Sequence, residues 1–168
     1  MATIDLPNNI LEALSTVLQQ LQQSLPKIKQ APDFSAIAFK WENGELKAIH
    51  QLKRIELNDL KGIERQKEKV LQNTEQFLNG LPANDVLLTG SRGTGKSSIV
   101  RALLTEYADQ GLRLIEIERD DLSELPEIQN LIAERPEKFI VYCDDLAFNA
   151  EDENYRSLKS VLDGSLQS

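Results

Sequence analysis

The sequence predicts an α/β fold in which a parallel sheet is flanked by helices and preceded by an N-terminal helix and a β-hairpin. Three observations carry that expectation. Short apolar runs alternate with amphipathic stretches from Leu57 onward, Asn43-Gly44 separates two alternating segments, and a glycine-rich loop stands between the first apolar run and the stretch after it. The chain has 168 residues, and at that length it buries about 70% of its unfolded surface, so its core needs no disulfide or metal. Its lone cysteine, Cys143, forms no internal bridge, which fits a reducing compartment. The N-terminus MATIDLPNNI has no basic n-region, and nowhere do roughly 18 apolar residues follow one another. A cytoplasmic protein with no membrane partner is therefore expected. A net charge of −8, from 27 acidic and 19 basic residues, gives no electrostatic footprint for nonspecific DNA binding.

In chain order, Leu11, Leu14, Leu18, Leu21 and Leu25 recur at steps of three and four, which puts them on one helix face, and Pro26 and Pro32 stop the helix. Two heptads are marginal as an isolated zipper, so a helix lying on its own domain is favoured over a coiled coil. In FSAIAFKWENGELKAIH the residues Ile37, Phe39 and Trp41 alternate up to Asn43-Gly44. Both turn residues tolerate positive φ, so a type I′ hairpin is expected, with Trp41 opposite Leu46 and Phe39 opposite Ala48. Residues 64–79 read as a helix with Val70, Leu71, Thr74, Phe77 and Leu78 on one side, closed by Gly80 and Pro82. DVLLTG (85–90) reads as a strand, SSIVRALLTEYADQG as a helix ending at Gly111, and RLIEIE (113–118) as a second strand. A helix over about 124–134, the strand FIVYCDD (139–145) and a last helix near 152–163 complete the pattern. The near-continuous apolar run of that third strand suits a strand covered on both faces.

The loop GSRGTGKS, Gly90 to Ser97, satisfies G-x-x-x-x-G-K-[ST], the phosphate-binding pattern called Walker A. Glycines 90, 93 and 95 let the backbone wrap an anion, and the helix starting near Lys96 adds the positive end of its dipole. Lys96 carries charge to the β/γ-phosphates, and the Ser97 hydroxyl is a hard oxygen suited to Mg²⁺. Candidate nucleotide-binding residues are therefore Gly90, Ser91, Arg92, Gly93, Thr94, Gly95, Lys96, Ser97 and Ser98, with the Arg92 side chain expected at the surface. An apolar strand ending in Asp144-Asp145 is a Walker B pattern. Its first acid, Asp144, joins Ser97 as a metal ligand, and Asp145 is the candidate that polarises the attacking water. Cys143 reads as a buried core thiol.

With these motifs in place the sequence resembles the AAA+ branch of P-loop ATPases, and more narrowly a bacterial group of predicted AAA+ ATP-binding proteins of undefined role. The stretch from ELNDLKGIERQ through SSIVRALL, with GLRLIEIERDDL and FIVYCDDLAF, carries the resemblance over residues 34–168. It implies ATP and Mg²⁺ as ligands and adenine contacts from Gly62 and Ile63. It also implies a protein or nucleic-acid substrate and a homo-oligomer in the complete form. Asp145 stands where the family usually has glutamate, which bears on hydrolysis rather than binding. In the family a sensor strand lies between the two motif-bearing strands, followed by an arginine finger and a helical lid, whereas this sequence ends at SVLDGSLQS. The expectation is a core incomplete at its C-terminus, in which the motif strands either pair directly or leave a gap with unpaired edges. Without the finger, worth about 10³–10⁵ in rate, hydrolysis is expected to be weak or absent while Mg-ATP binding survives.

The organisation expected is an N-terminal helix and linker (1–33), a hairpin (34–52) and a partial P-loop nucleotide-binding domain (53–168). The alternative is a non-catalytic interaction module or truncated gene fragment with a vestigial P-loop. A kinase-like or GTPase-like enzyme is a third reading, against which stands the lack of an N-K-x-D-like segment.

Overall fold

The computed structural model describes residues 10, 12, 14–17, 31–144 and 146. The chain divides into two compact units, Met1–Ala31 and Pro32–Ser168. In the first, Ile10, Glu12 and Leu14 to Val17 are helical, and the Ser15 and Thr16 hydroxyls donate to the Glu12 carbonyl at 2.8 and 2.9 Å. Leu11, Leu18, Leu21 and Leu25 of the leucine pattern lie outside the described residues, as do Asp145 and the expected helix at 152–163.

The second unit starts from the hairpin of β1 (Ala38–Glu42) and β2 (Glu45–Ala48). Asn43 (φ 54°) and Gly44 (φ 71°) take the left-handed backbone of a type I′ turn. The register is the expected one, with Trp41 opposite Leu46 and Phe39 opposite Ala48. The hairpin is not set apart from the sheet, however. β1 pairs in parallel with β3 (Leu112–Ile117), which pairs in parallel with β4 (Lys138–Cys143), giving the order β2-β1-β3-β4.

Alternation along these strands builds two apolar layers. Ala38, Leu112 and Leu114 face a cluster with Val70 of α1 (Glu64–Leu78) and with Ile99, Val100, Leu103, Leu104 and Tyr107 of α2 (Lys96–Tyr107). Phe39, Trp41, Ile115 and Ile117 face a second cluster with Leu122 and with Leu125 and Ile128 of α3 (Leu125–Ile132). The helices end where the sequence says they should. Gly80 (φ 69°) follows α1, and Gly111 (φ 91°) closes the short 3₁₀ turn after α2.

Two expectations need correction. Residues 85–90 form no strand: Val86 and Leu87 are 49% and 74% exposed, and only Leu88 packs against the α1/α2 cluster. An extended apolar segment becomes a strand only when a neighbour completes its ladder, and no described strand lies beside this one. The segment is tethered from α1 instead, where the Asn73 side chain accepts from the Asn84 amide and donates to the Asn84 carbonyl, each at 2.8 Å. Of the two outcomes open at the sheet, direct pairing or a gap, the described residues show the gap. Among the described residues β4 is accordingly an edge strand, and its residues are half-buried rather than enclosed, although Phe139 and Val141 pack on one face and Ile140 and Tyr142 on the other.

Candidate nucleotide-binding site

Gly95 is the N-cap of α2, with φ 87°, a backbone conformation that L side chains rarely adopt. At Gly90 (φ 149°) a Cβ would come within 3.0 Å of Thr94 Oγ1, so only glycine lets the loop close on itself there. The closure is made of hydrogen bonds to the loop's own carbonyls. Thr94 Oγ1 donates to the Ser91 carbonyl at 2.8 Å, and Lys96 Nζ donates to the Gly90 and Ser91 carbonyls at 2.8 and 3.0 Å. No side chain caps α2 and its first turn holds no acid, so its first amides and the positive end of its dipole stay available to an anion. Ser91, Arg92, Gly93 and Thr94 are exposed, as expected for the Arg92 side chain, while Ser97 and Ser98 are half-buried in the first turn.

The two motifs meet. Ser97 Oγ donates to Asp144 Oδ2 at 2.7 Å, across 47 residues of sequence. Asp144 follows the last residue of β4, at an even-numbered position like Ile140 and Tyr142, which face α2. A hydroxyl and a carboxylate side by side are hard oxygens of the kind Mg²⁺ prefers. Among the described residues no group of three or more His, Cys, Asp or Glu is placed to hold a metal by itself, so a cation here would take further oxygens from phosphate and water. Asp144 also lines a cleft of about 270 Å³ with Glu116, Ile117, Glu118, Arg119 and Asp120, at the C-terminal ends of β3 and β4.

Of the two adenine candidates, Gly62 and Ile63, it is Ile63 that approaches the loop. Ile63 precedes α1, and its Cδ1 lies 3.6 Å from the point where a Cβ on Gly95 would stand. The approach to α1 is fixed by Lys67 Nζ, which donates to the Leu57 and Leu60 carbonyls at 3.2 and 2.7 Å, and by Glu64, which accepts from the Gly62 amide at 3.2 Å. Cys143 is half-buried rather than the buried core thiol expected, packing against the Phe39/Ile115 cluster; burial, then the Asp144 charge, pushes its pKa up to about 11, so it stays protonated near neutrality.

Sequence reasoning missed Tyr142. Its hydroxyl is buried without a hydrogen bond, and burial pushes its pKa up to about 12, with Ser97 and Asp144 the next groups that act on it. The available signal was the period of two, which puts residues 142 and 144 on one face of a strand.

A mostly parallel sheet flanked by helices, with a Walker-type loop opening α2, defines an α/β protein of P-loop NTPase-like fold. The chain belongs to the family described as "Protein of unknown function (DUF815)", which matches residues 34–168. It is also similar to a Replication factor C large subunit of Methanococcus maripaludis (strain C7 / ATCC BAA-1331), 36% identical over 52 residues. That match covers 31% of this chain and 11% of the relative, so the chain spans a small part of the relative's length. It points in the same direction as the motifs, toward AAA+ ATPases. Among the described residues no helix is long and apolar enough to cross a membrane.

Proposed function

We propose that this chain is an ATP-binding protein of the AAA+ P-loop type, which takes Mg-ATP through the Gly90–Ser98 loop and Asp144, with hydrolysis weak or absent. The observation that carries the reading is the 2.7 Å hydrogen bond from Ser97 to Asp144, which joins the two motifs although no described strand lies between them. In this reading the loop amides, the α2 N-terminus and Lys96 hold the phosphates. Ser97 and Asp144 hold Mg²⁺, which when bound screens phosphate charge, and Ile63 with Gly62 meets the base. Weak turnover follows from exposure. Rapid phosphoryl transfer needs fixed charges in a water-excluded site, whereas residues 90–94 and Val86 and Leu87 before them are open to solvent. A protein or nucleic-acid substrate and a homo-oligomeric working form belong to the same proposal.

The test is titration of a fluorescent ATP analogue with and without Mg²⁺. Wild type is expected to bind, more tightly with Mg²⁺. Lys96→Ala is expected to lose about 10–100-fold in affinity, the worth of one or two hydrogen bonds to a charged group. Equal and poor binding by both proteins would overturn the proposal. It would favour instead an interaction module with a vestigial loop, the reading that the exposed Val86 and Leu87 support.

A further inference from the structure

We infer that Tyr142 is a positioning residue for the cation end of this site, its hydroxyl donating to the Asp144 carboxylate when Ser97 and Asp144 hold a divalent cation carried by a nucleoside triphosphate. The inference rests on the nucleotide-binding reading above and adds a residue to which neither motif assigns a role.

Among the described residues, Arg113 Nε and Tyr142 Oη are the buried side-chain polar atoms without a partner. They are not equivalent. The Arg113 guanidinium still donates through Nη1 to the Ala108 and Leu112 carbonyls at 3.0 and 2.9 Å, whereas the hydroxyl is the only polar group of the Tyr142 side chain. A buried hydroxyl without a partner opposes folding, and a phenyl ring would fill the same volume without that cost. The ring packs against the α1/α2 cluster, as does its apolar neighbour Ile140 on the same face. Packing therefore accounts for the ring and leaves the oxygen unexplained.

The oxygen's surroundings supply the explanation. The side chains of Ser97 and Asp144 stand within hydrogen-bonding reach of it without completing a bond, and they are the two hard-oxygen groups of the site. Ser97 already directs its proton at Asp144 Oδ2, which leaves the serine lone pairs to face a metal. A second donor on the carboxylate would fix its rotation about the last side-chain bond. Tyr142 has an undonated proton, a rigid ring to aim it and a place on the same strand face, two residues from Asp144. Groups that orient metal ligands in this way commonly contribute about 10–100-fold to metal affinity.

Tyr142→Phe tests this, because it removes the oxygen and keeps the ring. The experiment titrates Mg²⁺ at fixed fluorescent ATP analogue, measures the analogue's affinity without metal, and records the thermal midpoint without either. The variant is expected to bind the metal-free analogue as wild type does. It is expected to need about tenfold more Mg²⁺ for half-maximal enhancement, and to unfold at the same or a higher temperature. An unchanged Mg²⁺ requirement would overturn the inference alone, leaving nucleotide binding standing. A joint fall in metal-free affinity and thermal midpoint would also overturn it, since that is what a packing role gives. Absence of Mg²⁺-enhanced binding in wild type would overturn both readings together.

Discussion

The Lys96 ammonium sits on the carbonyls of Gly90 and Ser91, so it ties the loop into a ring as well as supplying charge. Compact shape matters to the first task and charge to the second. Arginine at this position keeps the charge, but its planar fork does not fit between two adjacent carbonyls on so short a loop. Lys96→Arg is therefore expected to lose nucleotide binding nearly as fully as Lys96→Ala, a comparison the same titration makes directly. Gly95 carries a different demand. Its Cβ would meet Ile63 Cδ1 at 3.6 Å, an ordinary contact, so the cost of Gly95→Ala lies in the backbone at φ 87°. A left-handed alanine costs about 1–2 kcal/mol, and urea denaturation is expected to show a loss of that size.

At the scale of the element, local chemistry was readable and long-range pairing was not. Asn43-Gly44 specifies its turn through two positive φ angles, and the turn specifies the hairpin register, so Trp41 opposite Leu46 followed from the sequence. Nothing local told β1 to pair in parallel with β3, because that choice depends on residues more than 70 positions away. DVLLT misled for a related reason: its apolar run has strand composition, but a ladder is a property of two segments. The site divided in the same way. The Gly90–Ser97 loop and Asp144 were visible as motifs, whereas the buried Tyr142 hydroxyl was hidden inside an apolar pattern. These differences have a consequence for exchange. Amides of Val86, Leu87 and Thr89 are expected to exchange with solvent deuterium without protection, while those of Ile115 and Ile117, in the sheet interior, exchange slowly. Asn73→Ala removes both bonds to Asn84 and is expected to extend fast exchange to Leu88, with little change in global stability.

Across the described part of the unit, the two motifs are held together by helix packing, with no described strand between them: α2 rests on β3 and β4 and brings Ser97 to Asp144. The stability of that packing should therefore be felt at the site, and three groups report on it in alkali. Tyr107 is buried on α2 and donates to Glu75 Oε1 of α1 at 2.9 Å; burial, then that bond, pushes its pKa up to about 12. Burial likewise raises Tyr142 to about 12 and Cys143 to about 11. In each the folded chain keeps a proton that the unfolded chain releases at its ordinary pKa, 10.0 for tyrosine and 9.0 for cysteine. Between those ordinary values and the raised ones the unfolded state binds fewer protons, so the free energy of unfolding falls as pH rises. The contribution is complete below about pH 9 and disappears toward pH 12. Trp41, the single tryptophan and 3% exposed, provides the fluorescence signal for urea midpoints measured across this range. The midpoint is expected to decline from about pH 9 upward. Tyr107→Phe removes a hydrogen bond to a carboxylate, so it should be less stable than wild type by about 1–2 kcal/mol at pH 8. Above pH 10, where one of the three titrating groups is gone, its decline should be shallower than that of wild type. Parallel declines in the two proteins would show that Tyr107 ionises alike in the folded and unfolded chains, and that the α1/α2 contact does not exclude water from its hydroxyl.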